Sequence, residues 1–418
     1  MIAYSELGDR AQPPTIARLM TLTLENPRLL SLAAGFTDNQ TLPVGLISTA
    51  VATLAKARAV DPEHLQYGLN QGRIGLRRQL AQLLLTHEPA LAGNPVATES
   101  RFLITNGSQQ ALYLAMQVLC APGDIVLVDR PSYFVFLEML AGLGIEARSM
   151  PIDASGQLDR DAFRALLTGM KTDGSSSRLK AVYFVSYFSN PSGHSQSIDE
   201  KNLIAEELAA AGLFIPAIED AAYRDLYFSA PHPAPSILSL PAWVDFPRFY
   251  TSTLTKPFAT GLKVGYGTCT DPKWLAKMLH VKGHHDFGSA HLNQAICEHA
   301  LVTGAFQSHL SQHLRPNYER KMNVLNSALE SGGLRGKGWR WAKPEGGLYI
   351  WLEAPTSLDT GLDSLFFKAC VAAGVLYVPG ELCFGDSPAH NFVRLSYGVL
   401  SDDNLAEAAR RFCSQTRP

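Results

Sequence analysis

Short, almost wholly apolar runs recur through the middle of this chain, and each is followed by a longer stretch of helical pattern. "DIVLVD", "LKAVYFVSYF", "LFIPAIED" and "RFYTSTLT" read as strands, whereas "SQQALYLAMQVLCAPG" and "SIDEKNLIAEELAAAG" read as helices. A strand that is apolar on both faces has to be covered on both faces. The alternation therefore specifies a mostly parallel sheet flanked by helices, an α/β fold. "RFLITNG" supplies a strand ahead of the first helix, which Pro122–Gly123 ends. A further helix is expected from about Ser132 to Leu143, then a strand in "IEARSMPI", and Ser197 with Glu200 forms a capping-box pattern.

The C-terminal third changes character. After a helical stretch expected from about Asn293 to Ser331 come "GWRWAKPEGGLYIWLEAP", a helix, "VLYVPGELC" and "NFVRLSYGVL". Strands mixed with helices and glycine turns point to a smaller α+β domain. The 418 residues, 46% of them hydrophobic, are enough for one large domain plus a smaller one. The opening, with Pro13, Pro14 and Pro43, reads as an arm or surface strap rather than an independent domain.

Charge and composition narrow the functional classes. A net charge of −2 offers no electrostatic attraction for nucleic acid or an anionic membrane. No apolar run approaches the roughly 18 residues of a membrane span. The first twenty residues lack the basic start and apolar core of a signal peptide. The six cysteines form no C-x-x-C pair, so reduced thiols in a cytoplasmic protein are expected rather than a disulfide framework or a zinc site. The twelve histidines show no metal-ligand spacing, and no metal is expected.

Distinctive residues stand where these strands end, the edge at which open α/β sheets bind ligands. In "TNGSQQAL", Gly107, Ser108 and Gln109 open a helix, offering free N–H groups, a hydroxyl and a positive helix end to a phosphate; a plain N-cap with a turn glycine reads equally from the same residues. Tyr133 in "DRPSYFVF" is either a ring-stacking aromatic or a core anchor. Asn190 in "SNPSGHS" is a turn residue or an amide facing a ligand oxygen. Asp220, with Tyr223 three residues on, ends a buried strand, so its charge needs a salt bridge or a ligand. Lys256 follows "FYTSTLT", where Thr253 and Thr255 add hydroxyls, and Arg394 in "VRLSYG" is either a surface charge or a carboxylate clamp.

Each signal alone is weak, but their joint order matches one cofactor, pyridoxal 5′-phosphate. A lysine forms the Schiff base with its aldehyde, and a carboxylate keeps its ring nitrogen protonated so the ring accepts electrons. With these motifs in place, from "SLAAGFTDNQTLP" through "LQYGLNQGRIGLRRQL" and "VPGELCF" to "VRLSYG", the sequence resembles the fold-type I, class I/II aminotransferases, and within them the branch of 2-aminoadipate and broad-specificity enzymes. The resemblance implies an aspartate aminotransferase-like fold: a large domain with a mostly parallel seven-stranded sheet, and a smaller α+β domain. Residues 1–48 would form an N-terminal arm and part of the small domain, 49–305 the large cofactor-binding domain and 306–418 the small C-terminal domain.

Carried over by position, the resemblance makes Lys256 the Schiff-base lysine and proton carrier and Asp220 the partner of the pyridine nitrogen. Asn190 and Tyr223 would contact the phenolic oxygen, and Tyr133 would stack on the ring. Gly107, Ser108, Gln109, Thr253, Thr255 and Lys263 would line the phosphate. Tyr67, in "LQYG", would reach the phosphate of a neighbouring subunit, implying a homodimer with shared active sites. Arg394 would bind the substrate α-carboxylate, with Gly35 and Asn190 also near the substrate.

The chain departs from the family pattern in places. Lys263 stands where relatives carry an arginine, keeping the charge but losing the bidentate fork. Gly288 stands where a histidine is common, and Arg18 lies near, but not on, the position of a second substrate arginine. The expected reaction is ping-pong transfer of an amino group between an amino acid and a 2-keto acid, with a broad or apolar/aromatic substrate range. A lyase, decarboxylase or cyclase using the same site is the alternative, because nothing in the sequence selects which Cα bond breaks. A non-catalytic regulatory module would lack Lys256 or Asp220, and a nicotinamide dehydrogenase would need a glycine fingerprint absent here.

Overall fold

A computed structural model describes residues 3–57 and 63–416. In chain order the strands among them are β1 (Leu30–Ser31), β2 (Phe102–Asn106), β3 (Ile125–Val128), β4 (Glu146–Ser149), β5 (Leu179–Val185) and β6 (Ala217–Asp220), then β7 (Arg248–Thr253), β8 (Val264–Cys269), β9 (Tyr349–Glu353), β10 (Val375–Leu376), β11 (Val378–Pro379) and β12 (Phe392–Ser396). Seven of them form one sheet in the order β2-β8-β7-β6-β5-β3-β4. Pairings from β7 through β6, β5 and β3 to β4 are parallel, and β8 runs antiparallel to both of its neighbours. All four residues of β3 and of β6 are buried, as expected of strands covered on both faces. One apolar layer packs Leu112, Ala115 and Met116 against Phe136 and Tyr183, and the other packs Phe163 and Leu208 against Val182 and Trp243.

The remaining strands form an antiparallel sheet β11-β12-β9 and a short parallel pair in which β1, near the N-terminus, pairs with β10. That pairing draws residues around Leu30 onto the C-terminal part of the chain. The proline-rich opening carries two helices, Glu6–Arg10 and Thr15–Glu25, on either side of Pro13–Pro14.

Local chemistry moved several expected boundaries. The helix expected from Ser132 begins at Phe134, because the Ser132 hydroxyl is bonded to Asp129 and its N–H donates to the Cys383 carbonyl at 2.7 Å. The helical stretch expected from about Asn293 to Ser331 is interrupted after Val302, where Gly304 adopts φ +73°, and resumes as Ala305–His309, a wide turn and Arg315–Ser331. The strand "LKAVYFVSYF" stops at Val185; the Ser186 hydroxyl turns to Glu219 at 2.6 Å and Phe188 sits at φ +44°. Ser197 and Glu200 form the full capping box of the helix Ile198–Ala210.

Candidate active site

The carboxyl ends of β5, β6 and β7, with the turn after β2, open onto one cleft of about 1210 Å³. It is lined by every candidate residue except Tyr67: Gly35, Gly107, Ser108, Gln109, Tyr133, Asn190, Asp220, Tyr223, Thr253, Thr255, Lys256, Lys263 and Arg394. Tyr67 stays outside on this chain, 82% exposed, its ring meeting Phe287 edge-on. Arg18 is exposed and does not line the cleft.

One end of the cleft is built for an anion. Gly107 takes φ +69° and donates its N–H to the Lys263 carbonyl at 2.6 Å, so the helix Gly107–Leu119 starts directly against β8. That approach requires Gly265: a Cβ there would lie 2.2 Å from the Gly107 carbonyl carbon. The helix has no side-chain N-cap and no acidic residue in its first turn, leaving free N–H groups and the positive end of its dipole at the cleft. Lys263 brings a cation from a left-handed backbone position, φ +55°.

The two threonines before and after Leu254 differ. Thr253 Oγ1 accepts the Thr255 N–H at 3.0 Å and faces the Val264 carbonyl at 3.2 Å, so it is occupied by its own turn. Thr255 Oγ1 is buried and has no hydrogen-bond partner among the described residues, which leaves its hydroxyl for a ligand.

In the middle of the cleft lie a carboxylate and an amine, each kept from its ordinary state. Asp220 accepts the Ala222 N–H at 3.0 Å and the Tyr183 hydroxyl at 3.2 Å. Burial pushes its pKa up to about 6 against those hydrogen bonds. Among the described residues no cation pairs with it, whereas its neighbour Glu219 is paired with Lys201 at 3.1 Å. Lys256 is drawn down to about 8, first by burial and then by the charges of Lys263 and Arg394, and its ammonium donates to the Gly35 carbonyl.

The far wall holds Arg394, 2% exposed and therefore not a surface charge. It donates to Asn190 Oδ1 at 2.8 Å and the Ala33 carbonyl at 2.6 Å, lies 4.4 Å from the Tyr349 ring centre and 5.3 Å from that of Phe134, and keeps Nε without a partner. No carboxylate pairs with it among the described residues, so its charge faces the cleft. Tyr349, absent from the sequence-based candidates, hydrogen-bonds the Tyr223 hydroxyl at 3.2 Å and fills the space a Cβ on Gly35 would need. Its signal was the "GGLYIW" segment, whose glycines read as turn residues rather than as room for a cleft tyrosine.

A phosphate at the Gly107 turn, a positively charged ring nitrogen at Asp220, a carbonyl at Lys256 and a carboxylate at Arg394 would satisfy these groups together. The free Thr255 hydroxyl and the cation-less Asp220 are the observations that make pyridoxal phosphate fit.

Comparison with known proteins agrees with that chemistry. The family described as aminotransferase class I and II matches residues 28–412. The aromatic-amino-acid aminotransferase 1 of Thermococcus litoralis is 28% identical over 409 residues, covering 98% of this chain and 92% of that one. The kynurenine aminotransferase of Pyrococcus horikoshii superposes with a TM-score of 0.85 at 26% identity, covering 99% of this chain and 96% of the other. The α-aminoadipate aminotransferase of Thermus thermophilus, complexed with N-(5′-phosphopyridoxyl)-L-leucine, gives 0.81 at 26%, covering 99% and 97%.

Proposed function

The chain belongs to the class I and II aminotransferases and uses pyridoxal phosphate to transfer amino groups, and from that premise we propose how its own residues divide the work. The cofactor, when bound, supplies an electron-accepting ring for the pair released at the substrate Cα. Lys256 would hold its aldehyde end and, freed by the incoming amine, take and return the Cα proton. A pKa of about 8 leaves a usable fraction of the amine neutral near pH 7. Asp220 would hold the ring nitrogen in its charged form, and that charge would replace the protein cation Asp220 lacks. Tyr133 would cover the ring, and Asn190 and Tyr223 would donate to the phenolic oxygen; Asn190 Oδ1 already serves Arg394, which leaves its amide N–H₂ for this.

At the phosphate, Ser108, Gln109, Thr255, Lys263 and the Gly107 turn would act together, with Thr253 bracing Thr255. Arg394 would bind the α-carboxylate through its unpartnered Nε side, with Gly35 shaping the adjoining wall. Amino acid and 2-keto acid would take turns in the one cleft.

The observation that carries this reading is that a buried carboxylate with no cation partner among the described residues and a buried lysine of depressed pKa line one cleft. It is tested by adding single amino acids, without a keto acid, to the yellow cofactor-loaded protein. Bleaching with stoichiometric 2-keto acid supports the reading; release of CO₂ or ammonia in place of the keto acid overturns it.

We also propose a homodimer in which Tyr67 serves the partner's phosphate. The exposed apolar cluster of Leu65, Tyr67, Leu69 and Phe287 supports it. The division of the chain at 48/49 and 305/306 is proposed likewise; the β1–β10 pairing supports grouping part of residues 1–48 with the small C-terminal domain. A cytoplasmic location is supported by six free cysteines. No helix among the described residues is long and apolar enough to cross a membrane. For the proposed apolar and aromatic substrate range, the name of the Thermococcus litoralis relative supports the aromatic part and the leucine adduct on the Thermus thermophilus enzyme the apolar part.

A further inference from the structure

The cleft extends past the Tyr133 ring to a wall shared by the proline strap and the helix Phe134–Leu143. Val135, Glu138 and Met139 face it from the helix, and Pro14, Ile16 and Met20 face it from the strap. Five of these six are apolar, although Gln12 and Thr15 of the strap also line the cleft. The exception among the six is Glu138. Its Oε1 accepts the Thr15 N–H at 2.9 Å, capping the helix Thr15–Glu25, whose N-cap Pro14 makes no side-chain bond and whose first turn has no acidic residue. Its Oε2 is shut in with no hydrogen-bond partner among the described residues. Capping alone uses one oxygen, and an apolar wall gains nothing from a carboxylate with a bare second oxygen, which is costly to bury.

The strap's own cleft-lining cation does not complete the pair. Arg10 donates Nε to the Gly142 carbonyl at 3.4 Å and Nη1 to Glu6 at 3.4 Å, at the far end of the same helix. Glu138 is, however, within electrostatic reach of the reacting end. Burial raises the Tyr133 hydroxyl pKa most, with Tyr349 and Asp220 next, and the Glu138 charge adds to them.

We propose that Glu138 is a specificity-determining residue that reads the distal end of the substrate side chain. It would select amino acids whose apolar stem ends in an N–H or O–H donor, whether an ammonium or a neutral group, over those ending in a methyl or a carboxylate. The stem would lie along Val135, Met139, Ile16 and Met20, and a small shift of the strap would open the shut-in carboxylate oxygen to the donor. A terminal carboxylate would instead meet a like charge. The proposal rests on the aminotransferase reading and adds to it the class of side chain accepted.

The test compares pairs that differ only by the terminal donor group in single-turnover bleaching of the cofactor-loaded enzyme: L-lysine against L-norleucine for a cationic donor, and L-tyrosine against L-phenylalanine for a neutral one. At least one donor-bearing member should be favoured by about 10- to 100-fold in the wild type. In Glu138→Gln the amide oxygen can still cap Thr15, so thermal stability should hold while the ratio falls towards one. An unaltered ratio in Glu138→Gln, or no donor preference in the wild type, would overturn the role of Glu138 as more than a cap. Failure of every amino acid to transfer its amino group would overturn the reading beneath it.

Discussion

Replacing Lys263 by methionine probes the cation proposed for the phosphate end of the cleft. Lys263 sits at φ +55° beside the Gly107 turn, where its carbonyl accepts the Gly107 N–H and its cation faces the cleft. Methionine is unbranched at Cβ like lysine, so the left-handed backbone costs both residues about the same 1–2 kcal/mol and the comparison isolates the charge. A hydrogen bond to a charged group contributes about 1.5–3 kcal/mol, so Lys263→Met should weaken pyridoxal phosphate binding by about 10- to 150-fold.

The affinity of pyridoxal, which lacks the phosphate, should barely change. Lys263 is also the first charge, after burial, that depresses Lys256. Removing it should therefore move the pH midpoint of cofactor capture upward from about 8. Equilibrium titration of cofactor absorbance, with both ligands across pH 6 to 10, reads all three effects. Equal affinity of wild type and variant for the phosphorylated cofactor, or a midpoint that moves downward, would refute the assignment.

Other expectations concern the same cleft. In the cofactor-free protein Lys256 has a folded pKa of about 8 against an ordinary 10.5, so between those values the unfolded chain holds more protons and stability should rise with pH. Lys256→Met should then stabilise the cofactor-free protein at pH 7 by about 3 kcal/mol, read by urea unfolding, while abolishing transfer. Asp220 is shifted the opposite way, to about 6 from 3.8, so its contribution to cofactor-free stability is present at acid pH and lost as pH rises from about 4 to 6. Asp220→Asn should flatten that slope and slow single-turnover transfer by about a hundredfold or more. Gly265→Ala should force Gly107 and Ser108 away from β8, with a stability loss of about 1–3 kcal/mol and weakened cofactor binding in the same titration.

Much of the architecture was legible because its strands are covered on both faces. Runs such as "DIVLVD" and "AIED" carry little but buried residues, and their order along the chain with helices between leaves few topologies. The chemistry was legible because polar residues at the ends of such strands have no structural excuse, Asp220 above all. Other features depend on contacts that sequence spacing does not encode. Ser132 leaves the helix because Asp129 and Cys383, the latter from the other end of the chain, claim its hydroxyl and N–H. Thr253 and Thr255 look alike in sequence, yet one hydroxyl is consumed by its own turn and the other is free. Tyr349 reaches the cleft only because Gly35, over three hundred residues earlier, makes room for its hydroxyl. Glu138 shows its character only once the strap lies across it.

We propose Lys256, and not the second lysine in the same cleft, as the residue that holds the cofactor. Borohydride reduction of the loaded protein followed by peptide mass mapping tests it directly. A phosphopyridoxyl mass is expected on Lys256 alone, lost when an amino acid is added before reduction. A label on Lys263, or one on Lys256 that persists undiminished after an amino acid has been added, would contradict it.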